Sequence, residues 1–225
     1  MKVVITSATE KEVLQIKQSI QPSITASTTR PQVQFHESGV GMLSSCYSIF
    51  KLIFEQKPDL IIQVGIAGSF DNNIPLGNVV VVRDEIVGDM GAEENGSFKD
   101  LFDLNLQQEN LFPFNGRKLI NPLFDALNYL KIPAVTGVTI NEITTRPARV
   151  EALKIKYRPT IESMEGASLH YCCIQTNTRF IQIRSISNYV GERDKSKWNF
   201  KDALDNLTKT IIGYLEQIGT KQILN

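Results

Sequence analysis

Residues 58–69 read Pro58-Asp59-Leu60-Ile61-Ile62-Gln63-Val64-Gly65-Ile66-Ala67-Gly68-Ser69. A nearly continuous apolar run behind a proline and an aspartate predicts a strand buried on both faces, and its glycines predict a tight turn at the strand's end. The N-terminus repeats the pattern. Val3-Val4-Ile5 gives way to the small residues Thr6-Ser7-Ala8-Thr9 and then to Glu10-Lys11-Glu12-Val13-Leu14: strand, turn and helix, with Thr9 as N-cap and Glu12 in the first helical turn. Residues 32–38 alternate as a strand does, and Gly39-Val40-Gly41 leads from them into a helical pattern carrying Tyr47, Phe50 and Phe54.

Further along, Asn78-Val79-Val80-Val81-Val82-Arg83 is another strand, extended through residues 84–89 into a loop over about residues 88–103 that is long enough to suspect function. Asn121-Pro122 opens a short helix, residues 133–140 form a strand, and residues 147–157 form a helix with proline at its first turn. A helix over residues 165–175, a strand over 179–187 and an amphipathic helix over 200–218, with Leu204, Leu207, Ile211, Ile212 and Leu215 at helical spacing, complete the chain. Helices and strands alternate throughout, which predicts one α/β domain over residues 1–225 built on a central sheet, with ligands bound where strands end.

Composition narrows the function. The chain has 225 residues, 42% of them hydrophobic, and 24 basic residues balance 24 acidic ones. No single-sign field exists to attract nucleic acid or an anionic membrane, so a small molecule is the expected partner. Cys46, Cys172 and Cys173 have neither the number nor the spacing of a disulfide framework and read as reduced thiols. The two histidines, His36 and His170, stand far apart and no metal-binding motif occurs, so neither metal nor cofactor is expected. The apolar N-terminal run is too short for a membrane span, lacks a signal-peptide pattern and reads as a first strand, and the reduced thiols are those expected of a cytoplasmic protein.

Three segments carry chemistry. The glycine turns at residues 39–41 and 65–68 can bring backbone amides close to a ribose, a phosphate or a water, or can simply be tight turns. Glu162-Ser163-Met164-Glu165-Gly166-Ala167 stands at a helix start, where Glu165 can be a ligand contact or a partner of the helix dipole, and Glu162 reads as a surface or capping charge. Arg184-Ser185-Ile186-Ser187-Asn188-Tyr189 places polar groups at a strand's end, where Asn188 alone suits a turn.

In order and spacing, Glu12, Gly39-Val40-Gly41, Gly65-Ile66-Ala67-Gly68-Ser69, Ser163-Met164-Glu165-Gly166 and Arg184-Ser185-Ile186-Ser187-Asn188 resemble the nucleoside phosphorylase/hydrolase superfamily, particularly its methylthioadenosine/S-adenosylhomocysteine nucleosidases. Gly68-Ser69-Phe70-Asp71, Asp89-Met90-Gly91-Ala92-Glu93, residues 162–167 and Ser187-Asn188-Tyr189-Val190 are similar to the futalosine hydrolases, the menaquinone-pathway branch. The resemblance implies a three-layer αβα sandwich around a mixed, twisted sheet, and a homo-oligomer.

It also implies a catalytic set of Glu12, Glu165 and Asn188, with substrate held by Gly41, Ala67, Gly68, Met164 and Arg184. Glu12 would accept the proton of an attacking water, Glu165 would bind ribose hydroxyls with Met164 against the sugar, and Arg184 would orient carboxylates or water, unless it is a structural ion pair. The adenine-specific nucleosidases carry Asp where this chain has Asn188. An amide has no transferable proton, but it can donate to O6 and accept from N7–H of a 6-oxopurine, so hypoxanthine is the expected leaving base.

The implied reaction is hydrolysis of futalosine to hypoxanthine and dehypoxanthine futalosine. Phosphorolysis needs cations or an amide nest, and residues 38–45 contain no Lys or Arg, although Arg30, Arg83 or a neighbouring subunit can still supply one. Phe98 and Phe102, with Arg146 or Arg193, are candidates for the substrate's 5′ side, although residues 192–195 also read as a solvated charge run. The alternatives are an adenine nucleosidase, a purine nucleoside phosphorylase and a catalytically inactive nucleoside-binding protein. A dinucleotide fold lacks support, since Gly65-Ile66-Ala67-Gly68 has no third glycine of that fingerprint.

Overall fold

The computed structural model describes residues 1–20 and 31–223. In chain order the strands are β1 (Lys2–Ser7), β2 (Gln32–Glu37), β3 (Leu60–Ser69), β4 (Val79–Val87), β5 (Gly91–Glu94), β6 (Ser97–Asp100), β7 (Leu119–Ile120), β8 (Ala134–Thr139), β9 (Ile161–Ser163) and β10 (Phe180–Tyr189). The helices are α1 (Glu10–Ile20), α2 (Met42–Gln56), α3 (Phe124–Leu127), α4 (Pro147–Tyr157), α5 (Gly166–Gln175) and α6 (Phe200–Ile223).

Strand alternation distributes the core. Val3 and Ile5 of β1, Leu60, Ile62 and Val64 of β3, and Ile181 and Ile183 of β10 pack with α1 and α6. Their neighbours of opposite parity, Val4, Ile61 and Phe180, pack with Ile49, Leu52 and Ile53 of α2 and Leu169, Cys172 and Cys173 of α5. Because both faces are covered, the strands read as continuous apolar runs rather than as alternating ones. The expected layering of helix, mixed sheet and helix therefore holds for this part of the molecule.

Beyond it the sheet differs from an open sandwich, because it closes on itself. β3 pairs in parallel with β10 along most of its length and with β1 through Leu60–Gln63, but its last residues, Gly68 and Ser69, pair antiparallel with Glu162 and Ile161 of β9. β9 continues in parallel to β8, β8 to β4, and β4 returns antiparallel to β10. β3 thus exchanges β1 for β9 on the same side as it emerges from the core. The divergence opens a cleft between the end of β1 and β9.

The segment over residues 88–103 is not a loop. It forms the hairpin β5–β6, turned at Asn95 (φ 53°) and Gly96 (φ 74°), both in the left-handed region that a tight hairpin turn requires. Lys156 of α4 reaches Asp103 and, at 3.3 Å, Asp100, while Tyr157 donates to Asp100 at 3.0 Å, so the hairpin is clamped against α4. Among the described residues no helix is long and apolar enough to cross a membrane.

Candidate active site

A cavity of about 530 Å³ occupies the cleft at the strand ends. Glu12, Ala67, Gly68, Met164, Glu165 and Asn188, separated by up to 176 positions in the chain, all line it. A larger groove of about 920 Å³ lies at the opposite end of the strands, around Lys57, Pro58 and Arg179, and holds none of these residues.

Glu12 is fixed from two directions. One carboxylate oxygen accepts from the Thr9 backbone at 3.1 Å and the Thr9 hydroxyl at 3.3 Å, so Glu12 closes the first turn of its own helix. The other accepts from the Ile66 N–H at 3.2 Å. That second oxygen accepts a single hydrogen bond and keeps a further lone pair, so the carboxylate can still take a proton from a water in the cavity. The backbone of Gly65 makes this approach possible: a side chain there would lie 2.7 Å from the Glu12 carboxylate and would also strike the Arg184 guanidinium.

Glu165 caps α5 and is buried, at 5% exposure. Burial pushes its carboxyl above the usual range, opposed by Arg184 and by the Gly41 N–H, with the neighbouring Glu12 adding to the rise. The Gly41 amide donates to Glu165 at 3.0 Å, and the Arg184 guanidinium stands 3.7 Å from its second oxygen. Gln63 ties the pair together, accepting from Arg184 at 2.9 Å and donating to the Glu165 carbonyl at 3.4 Å. Gly41 and Arg184 therefore stand behind the cavity and hold Glu165 in place; neither lines it, in contrast to the substrate contacts expected of them. Gln63 is a positioning residue that sequence reasoning passed over. Its signal was an amide within an otherwise apolar buried strand, where a polar group needs partners.

Asn188 lies at the far side. Its carbonyl oxygen accepts from the Ser187 hydroxyl at 2.8 Å and its amide donates to the Tyr189 carbonyl at 3.0 Å, leaving one N–H and one lone pair for a ligand. Ile140, Ile143, Trp198, Phe200 and Leu204 supply the apolar wall, and Lys11 is the one basic side chain among the described residues lining the cavity.

Several expectations are corrected here. Glu162 is no surface charge: it is 7% exposed and lines the cavity, because β9 carries it inward beside β3. Phe98 and Phe102 do not reach the cavity, since the clamped hairpin holds Phe98 beneath the Arg149 guanidinium, 4.6 Å from its ring, and Phe102 against Phe114. Arg146 lies in a small neighbouring pocket that shares Ile143 with the main cavity, and Arg193 sits over Trp198 at 5.7 Å. Arg83 pairs with Asp84 at 3.4 Å and lines no part of the cavity. Arg30 lies outside the described residues.

A sheet closed through β9, a cavity at its strand ends and three carboxylates lining that cavity, Glu12, Glu162 and Glu165, define a class. Over residues 2–218 the chain matches the Phosphorylase superfamily, and it belongs to that family. It is similar to the futalosine hydrolase of Thermus thermophilus, with 25% identity over 185 residues covering 81% of each chain. It is also similar to the 5'-methylthioadenosine/S-adenosylhomocysteine nucleosidase of Bacillus velezensis, with 26% identity across 97% of this chain and 100% of the relative. The crystal structure of the corresponding Colwellia psychrerythraea nucleosidase in complex with adenine shares the fold, with a TM-score of 0.76, 22% identity, and coverage of 96% of this chain and 95% of its own. The resemblances drawn from Glu12, Glu165 and the glycine turns are thus borne out at the level of family and fold.

Proposed function

We propose that this protein is a purine nucleoside hydrolase that cleaves the N-glycosidic bond of futalosine, releasing hypoxanthine and dehypoxanthine futalosine. The observation that carries the reading is the placement of Glu12 and Glu165 on one cavity, each pinned by backbone N–H groups, with Asn188 across from them. Glycosidic cleavage builds positive charge on the ribose and negative charge on the departing base, and both must be stabilised as they develop. Glu12 accepts the proton of the attacking water. Glu165, held from behind by Arg184 and Gly41, takes the ribose hydroxyls, with Met164 against the sugar. Asn188 donates to O6 and accepts from N7–H of the leaving 6-oxopurine. Similarity to the Thermus thermophilus futalosine hydrolase supports that substrate, while similarity to the Bacillus velezensis nucleosidase keeps a 6-aminopurine nucleoside as the second reading.

Water is preferred to phosphate as nucleophile because the cavity lining holds one cation among the described residues, Lys11, and Arg184 is already engaged by Gln63 and Glu165. The apolar side chains Leu43, Tyr47 and Phe54 stand at 86%, 71% and 68% exposure along one helix, α2, which starts just after the cavity residue Val40. They form the interface of a homo-oligomer, and the three free thiols suit a cytoplasmic protein.

The test is release of free base from futalosine, inosine, methylthioadenosine and aminodeoxyfutalosine, each with and without phosphate. Hypoxanthine from futalosine without phosphate is expected. Adenine as the main product refutes the role given to Asn188, strict phosphate dependence makes the protein a phosphorylase, and no release from any substrate leaves a nucleoside-binding protein.

A further inference from the structure

Glu162 has no place in the scheme above, yet among the described residues it alone is a carboxyl with a buried oxygen that has no partner. One oxygen accepts from the Thr144 N–H at 3.1 Å; the other has no partner in a residue that is 7% exposed. An unsatisfied buried acceptor is costly to the fold, and a ligand donor can return that cost.

Register places this carboxyl opposite Asn188. Gly68 of β3 pairs with Glu162 of β9 on one side and with Asn188 of β10 on the other. Side chains of directly paired residues project from the same face, so Glu162 and Asn188 flank a position that has no side chain. Two strand spacings separate their backbones by roughly 10 Å. A side chain at Gly68 would stand 3.3 Å from the Asn188 amide and 3.1 Å from Val190, within this slot. The backbone of Gly68 is outside the left-handed region, so the glycine supplies space rather than a special conformation. The three residues form a row of carboxyl, gap and amide, lining the cavity where the base is placed.

From this row, and resting on the reading of the site as a purine nucleoside hydrolase, we infer that Glu162 is a specificity-determining residue that accepts the N1–H of a 6-oxopurine lying over Gly68 with its O6 and N7 edge on Asn188. A 6-oxopurine carries a hydrogen at N1, whereas a 6-aminopurine presents a lone pair there. Glu162 and Asn188 thus read adjacent atoms of one base edge from opposite sides, and an acceptor at position 162 disfavours the 6-aminopurine.

The experiment uses three nucleosides with the same 5′ substituent: the hypoxanthine compound, its 1-deaza analogue, which has C–H at position 1 and carries its mobile proton on N3 in the 6-oxo form, and the 6-aminopurine compound. For the unaltered protein, kcat/KM is expected to fall at least about tenfold on 1-deaza substitution, in keeping with the loss of a hydrogen bond to a charged group. Glu162→Gln keeps an acceptor for Thr144 and offers the base an N–H₂. It is expected to lose about tenfold or more on the hypoxanthine nucleoside, chiefly in KM, to become nearly indifferent to the 1-deaza change, and to shift its preference toward the 6-aminopurine. Indifference of the unaltered protein to 1-deaza substitution overturns the inference without any variant. An equal loss by Glu162→Gln on all three substrates also overturns it, marking the residue as structural. Release of no base by the unaltered protein from any substrate defeats the underlying function instead, and the inference with it.

Discussion

Glu85 gives the sharpest quantitative test of how this interior is arranged. It lies on β4 with no exposed surface, accepts from Gln182 at 2.8 Å and from Thr139 at 2.9 Å, and fills the space left by Gly137 and Gly166. Thr139 in turn accepts from the Ala167 N–H at 2.8 Å, so the network reaches the first turn of α5, beside Glu165. Burial pushes the Glu85 carboxyl from its ordinary 4.5 up to about 7, against the pull of the Gln182 and Thr139 donors and of Arg184. A carboxyl that holds its proton more tightly when folded stabilises the protein most at low pH. That stability is lost as pH rises from the unfolded value through the folded one, since the unfolded chain releases its proton first.

The span from 4.5 to about 7 corresponds to about 3 kcal/mol at pH above both values. Glu85→Gln removes the titration, and rotation of the Gln182 amide lets its unpartnered oxygen accept from the new amide. Urea unfolding of both proteins should give a stability difference that moves in the variant's favour by about 3 kcal/mol between about pH 4 and about pH 8. A difference that stays constant over this range would show that Glu85 titrates alike in both states, and would refute the reasoning.

Other perturbations address the site directly. Glu12→Gln removes the proposed proton acceptor while keeping a cap on α1; kcat should fall by about 10²–10⁴ with stability lowered by about 1 kcal/mol or less, measured by steady-state base release and urea unfolding. Gly68→Ala sets a methyl 3.3 Å from the Asn188 amide and should lower kcat/KM for base release at least about tenfold, largely through KM, with little effect on thermal unfolding. Arg184→Met leaves Glu165 and Gln63 without their partner inside the protein and should cost about 3–5 kcal/mol in unfolding experiments, a loss absent if the guanidinium were solvated. Leu43→Glu places a charge in the exposed stripe of α2, and light scattering should report dissociation to monomer if that stripe is the interface.

What could be read without the structure followed from periodicity. β1, β3, β10 and the helices packed on them are long enough, and buried enough, for their apolar patterns to mark them, and the helix Pro147–Tyr157 was legible to the residue from its leading proline. β9 was not legible, because three residues carry no period, and with it went both the closure of the sheet and the inward placement of Glu162. The β5–β6 hairpin announced itself only through Asn95-Gly96, since its strands, Gly91–Glu94 and Ser97–Asp100, are largely polar and exposed. Glu12, Glu165 and Asn188 were legible as an ordered set, but Gln63 and Glu85 were hidden inside strands whose apolar character masked them. Helical spacing groups Leu204 with Leu207 and Ile211 on one apolar face, but it cannot tell that Leu204 lines the cavity while the other two join the core.

In the proposed reaction water, activated by Glu12, attacks the sugar carbon of a 6-oxopurine nucleoside. The most direct measurement is turnover of futalosine in oxygen-18-labelled water without phosphate, with mass analysis of both products. Free hypoxanthine and a sugar product carrying one labelled oxygen at the former glycosidic carbon are expected, both abolished in Glu12→Gln. Hypoxanthine release that requires phosphate and yields a sugar phosphate without the label would contradict it.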